Sequence, residues 1–236
     1  MATYVTPQEV VEKALEAQDD GVCGSFTEPT LLYEFDLELF KLAREANLYC
    51  CFVSNGYMSQ KALEKLIEAG LSGLKVDVKG GSKAYEELGL KSEIPWRNIK
   101  LALEARVHVE VVALLVTNFS DSSASISEVV ENHLNSAGPK VPLHFTRYFP
   151  AYRYQESSTS VERLELAYEL AKKAGVEFVY IGNVPGHPAL NTYCPNCYRP
   201  LIKRSNWQLL KVDLTKDGAC PGCGRKIPLR GSVKKS

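Results

Sequence analysis

Six short apolar runs, each closed by turn-forming residues, recur along the chain at residues 21–26, 48–54, 74–79, 107–116, 141–146 and 178–182. Their length and their β-branched and aromatic content predict strands. The runs are nearly continuous rather than alternating, which suits parallel strands covered on both faces. Helical patterns lie between them, and several carry start and stop signals. Thr6-Pro7-Gln8-Glu9 sets Thr6 at an N-cap, Pro7 at the first helical position and Glu9 where it closes a capping box. Ser125 with Glu128, and Thr159 with Glu162, repeat that spacing. Gly70 and Gly175 stand where helices should end in a left-handed turn.

Strand alternating with helix predicts a parallel sheet with right-handed crossovers. A closed eight-stranded barrel typically needs ~250 residues. The expected fold is therefore α/β, an open partial (β/α) barrel of about six parallel strands over residues 1–186. A doubly wound sheet is the runner-up, with neither a GxGxxG turn nor a P-loop to favour it. The turn-rich stretch 182–190 leads into a separate cysteine module at 187–230, followed by a short tail at 231–236.

That module holds Cys194-Pro-Asn-Cys197 and Cys220-Pro-Gly-Cys223. Two CxxC knuckles at this separation grip one ion between four sulfurs, a closed tetrahedral site that suits structural zinc, with iron as the minor alternative. The segment 207–214 between them predicts the hairpin of a zinc ribbon. Cys23, Cys50 and Cys51 read as small apolar residues.

The strand ends are polar one after another: Thr27-Glu28-Pro29, Ser54-Asn55-Gly56, Asp77 and Lys79, Thr117-Asn118, His144 to Arg147, and Asn183. In a parallel barrel such ends form the active-site face. Asp77 and Lys79, two apart on one strand, are expected on one face, as are His144 and Thr146. Gly80-Gly81 reads as a turn and not as a phosphate cradle.

Composition narrows the field. The 236 residues carry 28 basic and 28 acidic side chains, a formal net charge of zero. That leaves no electrostatic footprint for nucleic acid or an anionic membrane. No basic region followed by an apolar run opens the chain, and seven cysteines without a secretory signal argue for thiols or metal ligands. A soluble cytoplasmic protein is expected.

The series Gly21-Val-Cys-Gly-Ser-Phe-Thr-Glu-Pro29, Ser54-Asn-Gly56, Asp77-Val-Lys79 and Pro142-Leu-His-Phe-Thr-Arg-Tyr-Phe-Pro150 resembles the radical S-adenosylmethionine (SAM) enzymes. Within them it is similar to the branch of the pyruvate formate-lyase activating enzymes and of the AmmeMemoRadiSam system, whose C-terminal part Tyr193-Cys-Pro-Asn-Cys197 also fits. The resemblance implies reductive cleavage of SAM to a 5′-deoxyadenosyl radical. It implies that Thr27, Glu28 and Pro29 meet the amino group of the SAM methionine, that Asp77 bonds the ribose, that Lys79 pairs with the methionine carboxylate and that His144 packs on the nucleoside. Asn55 lies in the turn where relatives place a cation-site Asp two residues earlier; Val53 occupies that position here.

The family's [4Fe–4S] cluster sits on a CxxxCxxC loop, and no CxxxCxxC occurs in this chain. The resemblance then leaves a truncated copy, a separate chain carrying the cluster, or a non-catalytic relative; the first is the expectation. Either a partner chain or a missing N-terminal segment would sit against the exposed first strand. Two other functions compete. One is a class I aldolase-like enzyme with a Schiff base on Lys79 and Asp77 or Glu28 as acid or base. The other is a scaffold whose zinc ribbon contacts a partner.

Overall fold

The computed structural model describes residues 4–205 and 208–230. Six strands form one sheet in sequence order, and their pairings are parallel. The expected α/β fold is therefore the one found. The chain divides into two compact units, the first holding residues up to Val78 with Lys91–Glu110, the second Lys79–Leu90 with Val111 onward. The expected tail at 231–236, and Trp207 of the expected hairpin, lie outside the described residues. Among the described residues no helix is long and apolar enough to cross a membrane.

The first unit opens with α1 (Pro7–Glu16), whose capping box is complete: the Glu9 N–H donates to Thr6 Oγ1 and the Thr6 N–H to Glu9 Oε2. Strand β1 (Gly21–Gly24) leads through a 3₁₀ turn (Pro29–Leu32) to α2 (Tyr33–Glu45). Then come β2 (Tyr49–Ser54), α3 (Gln60–Ala69) and β3 (Gly73–Val78). In β3 alternate residues Leu74, Val76 and Val78 are buried, while Lys75 and Asp77 are half exposed. Phe40, Phe52, Leu63, Leu66, Leu74 and Ile99 are fully buried in one apolar layer, and each such side chain contributes about 1.5–3 kcal/mol. Helix α3 ends at Gly70 with φ +130°, as expected.

The second unit includes α4 (Ser82–Glu87); α5 (Glu93–Glu104) belongs to the first. Strand β4 (His108–Leu115) is followed by α6 (Ser123–Ser136), β5 (Leu143–Arg147), α7 (Val161–Ala174) and β6 (Val179–Gly182). Helix α7 ends at Gly175 in a left-handed turn. A three-stranded antiparallel sheet completes it: β7 (Thr192–Tyr193), β8 (Pro200–Ser205) and β9 (Gln208–Val212).

Two of the expected capping boxes are corrected. Helix α6 is capped by Ser122, not Ser125. Ser125 Oγ instead accepts the Gly81 N–H, and Glu128 accepts from the Ser82 backbone and hydroxyl, so one face of α6 caps α4. Helix α7 is capped by Ser160, not Thr159. The Thr159 hydroxyl, fully buried, donates to the Leu115 carbonyl and accepts the Tyr148 N–H, tying the ends of β4 and β5 together.

Candidate functional site

In the first unit the loop after β1 is locked to the end of β2 by one carboxylate. Glu28 accepts four hydrogen bonds: from the Thr30 N–H at 3.3 Å and hydroxyl at 2.9 Å, the Ser54 hydroxyl at 2.7 Å and the Asn55 N–H at 2.8 Å. An ionised carboxylate offers about four acceptor positions. Three of the four fall on Oε1 and one, from Asn55, on Oε2, so Glu28 ties the loop after β1 to the end of β2. The same turn is held from behind. Gly56 donates to Ser54 Oγ, and the fully buried Asn98 amide donates to the carbonyls of Gly56 and Met58 at 2.8 and 2.9 Å. Arg97 bonds both Met58 O and Asn98 Oδ1. A side chain at Gly56, where φ is +69°, would meet Val76 Cγ1 at 2.8 Å, so glycine is required. The Asn55 side-chain oxygen accepts the Tyr57 N–H at 2.7 Å. Thr27 is exposed, and Pro29 is buried at the start of the 3₁₀ turn.

Asp77 sits on the half-exposed face of β3, with Lys75 Nζ 3.7 Å from its Oδ1. Its ion-pair partner is thus Lys75, the other neighbour at two-residue spacing. Lys79 follows the last strand residue, Val78, and the burial alternation of β3 runs on through it: Asp77 and Lys79 are half exposed, Val78 and Gly80 buried. The Lys79 N–H donates to Tyr85 Oη at 3.1 Å. The neighbouring Gly81 and Ser82 amides are taken by Ser125 and Glu128, in keeping with a turn rather than a phosphate cradle.

In the second unit His144 stacks on Tyr180, the residue opposite it in β6, with ring centroids 4.7 Å apart and planes 22° apart. Tyr180 Oη is 2.9 Å from Thr192 Oγ1. The Arg204 guanidinium lies over the Tyr180 ring at 5.7 Å and donates to Thr192 Oγ1 and the Leu190 carbonyl. An Arg on β8 and an aromatic pair on β5 and β6 therefore form one polar-aromatic group.

The four expected ribbon cysteines converge: their sulfurs all lie within 4.8 Å of one another, with Cys194–Cys223 at 3.5 Å and Cys197–Cys220 at 3.6 Å. A metal about 2.3 Å from each sulfur in a tetrahedron sets the sulfurs about 3.8 Å apart. The two knuckles repeat one backbone pattern. Tyr198 N–H donates to Cys194 O and Cys194 N–H to Arg199 O; Gly224 N–H donates to Cys220 O and Cys220 N–H to Arg225 O, all at 2.9 Å. Cys194 and Cys220 are buried with Phe178, Leu201, Ile202 and Ile227.

The remaining thiols do not form a second group. Cys23 and Cys51 are opposite each other on β1 and β2, and Cys23 is exposed rather than core. Cys50 points the other way, its sulfur 3.6 Å from the Phe40 carbonyl of α2. Among the described residues the ribbon four are the one His, Cys, Asp or Glu group placed to hold a metal ion.

Comparison with known proteins agrees with this geometry. The family model described as the radical SAM superfamily matches residues 2–129. An uncharacterized protein of Methanocaldococcus jannaschii is 34% identical over 229 residues, covering 95% of this chain and 68% of that protein. A domain of pyruvate-formate lyase-activating enzyme from Bacteroides vulgatus superposes with a TM-score of 0.57 at 17% identity, covering 69% of this chain and 99% of that one. Streptococcus suis SuiB bound to S-adenosylmethionine gives 0.59 at 14% identity, over 77% of this chain and 44% of that one. A radical SAM methyltransferase from Sphaerobacter thermophilus gives 0.59 at 15%, over 81% and 61%. The three structural likenesses are likenesses of fold.

Proposed function

Because this chain belongs to the radical SAM superfamily, we propose that it binds S-adenosylmethionine. The match over residues 2–129 carries the reading. Lys79, in the second unit, takes the methionine carboxylate. His144, stacked on Tyr180, supplies an aromatic surface for the adenine. Glu28 holds the turn at Asn55. Calorimetric titration of the folded chain with SAM should show saturable binding that Lys79→Ala abolishes and His144→Ala weakens about tenfold, with melting curves to verify folding. A folded wild-type chain that does not bind SAM, or a Lys79→Ala variant that binds it unchanged, removes the proposal.

In this family the cluster supplies the electron that cleaves SAM. The thiols of this chain do not fit such a cluster: Cys23 and Cys51 face one another, Cys50 turns away, and the other four close on themselves. The proposal therefore stops at binding. A partner strand on the outer edge of β1 belongs to the same proposal. Light scattering that finds a monomer at high concentration, with Gly21–Gly24 amides protected from exchange, removes that part. The ribbon four are proposed to hold one structural zinc, since four thiolates leave no open position for chemistry.

A further inference from the structure

A cavity of about 570 Å³ opens in the second unit where α7 meets the start of the ribbon. Its volume falls within the roughly 300–1,000 Å³ of small-molecule sites. Its polar lining is of one kind. Tyr168, Tyr193 and Tyr198 present aromatic rings, Glu165 and Glu169 present carboxylates, and His187 is the remaining titratable group. No lysine or arginine lines it. The floor is apolar at Ile181.

The histidine orients one of the carboxylates. His187 Nδ1 accepts the Ala189 N–H at 3.1 Å, so in the neutral ring Nε2 carries the proton. That nitrogen is 3.3 Å from Glu165 Oε1 and donates to it, which aims the carboxylate. Tyr193 is held in turn by its hydroxyl, which donates to the Pro188 carbonyl at 3.3 Å.

Tyr198 adds the third ring. It occupies the knuckle position that Gly224 occupies in the sister knuckle, with the same hydrogen bond and φ of +57° against +75°. Left-handed backbone is costly for a side chain of this size and free for glycine. The first knuckle nevertheless carries a tyrosine there, 70% exposed at the cavity wall.

From this arrangement we infer that the cavity binds an organic cation, an alkylammonium or alkylguanidinium, whose charge is met by Glu165 and Glu169 and whose carbon-bound surface lies against the three tyrosine rings. Cations are attracted to aromatic faces, most when water is excluded, and carboxylates beside the rings add Coulomb attraction. The cation can be free in solution or can be the lysine or arginine side chain of another protein; the chemistry of the cavity is the same for both.

The zinc-loaded full chain is titrated with tetramethylammonium and with butylguanidinium, read by calorimetry and by the tyrosine ring signals in NMR. Saturable binding with shifts at Tyr168, Tyr193 and Tyr198 is expected, and tert-butanol, of similar shape but neutral, should give none. Tyr198→Gly relieves backbone strain, so its melting temperature should hold or rise while affinity falls about tenfold. Glu165→Gln and Glu169→Gln together should weaken binding further. Absence of saturable binding, equal binding of tert-butanol, or full affinity in folded Tyr198→Gly overturns the inference. A lysine-containing pentapeptide that binds more tightly than butylammonium assigns the site to a protein side chain; equal or weaker binding assigns it to a free cation.

Discussion

The two edge strands, β1 and β6, are both four residues long and each pairs in parallel with one neighbour, yet their surroundings differ. Beside β6 the ribbon adds a second apolar cluster through Phe178 and Tyr180, Arg225 Nη2 donating to both carboxylate oxygens of Glu177, and Arg204 over the Tyr180 ring. Beside β1 stand two glycines, an exposed Cys23, and Phe26, 93% exposed. What secures the first unit lies instead at its strand ends, where Glu28 and Asn98 gather the turns after β1 and β2. Two short parallel edge strands thus rest on different surroundings: one on the cysteine ribbon, the other on buried hydrogen bonds.

The largest separation of the two should come from metal removal. Ribbons of this kind obtain about 10–16 kcal/mol from zinc at neutral pH. A strong chelator, or Cys194→Ser with Cys220→Ser, should unfold residues 192–228, and exchange should also rise in β6. Amides of α2, α3 and β2 should keep their protection. Equal loss of protection in both units would break the comparison, and elemental analysis of the untreated chain should give about one zinc per chain.

Acid should separate them next, with opposite signs. His133 is fully buried; its Nε2 faces the Val141 carbonyl, and burial pushes its pKa down to about 4. Between pH 6.5 and 4 the unfolded chain binds a proton there that the native state refuses. The second unit should therefore lose about 3 kcal/mol as pH falls through that window. Asp36, on α2 in the first unit, is buried beside Gly24, and burial raises its pKa to about 6. Here the native state holds the extra proton between pH 6 and 3.8. The first unit should thus gain about 2–3 kcal/mol on the same acidification, and Asp36→Asn should stabilise it at neutral pH and remove its pH dependence. Hydrogen exchange followed separately in α6 and in α2 reads the two signs. Parallel trends in both would refute the assignment.

Much of this was legible in the order of apolar runs. All six strands, the Thr6 capping box, the helix-ending Gly70 and Gly175 and the convergence of the four ribbon cysteines follow from local patterns, because each depends on residues close in sequence. What failed depends on distant ones. Ser125 with Glu128, and Thr159 with Glu162, have the spacing of a capping box, but that spacing cannot say that the Gly81 amide or the Leu115 carbonyl will approach first. The ties from Glu28 to Ser54 and Asn55 were hidden for the same reason. Asn98 did leave a trace, a polar residue among Pro95, Trp96, Ile99 and Ala102 on the buried side of α5.

The smallest expected effect is a control on the comparison, since it should be alike in both units. Thr6 caps α1 with both arms of a capping box, while Ser160 caps α7 through the Arg163 N–H alone, at 3.2 Å. Losing an N-cap oxygen typically costs about 1 kcal/mol. Thr6→Ala should raise exchange in the first turn of α1 about fivefold, and Ser160→Ala should do the same in the first turn of α7. The second arm from Glu9 cannot compensate, because it accepts the Thr6 N–H and leaves the Glu9 N–H without its oxygen. Ser125→Ala should leave the start of α6 unchanged, because Ser122 caps it, and should instead loosen Gly81 and the first turn of α4. Fraying at the start of α6 in that variant would restore the capping box expected from spacing alone and take away the contact by which α6 holds α4.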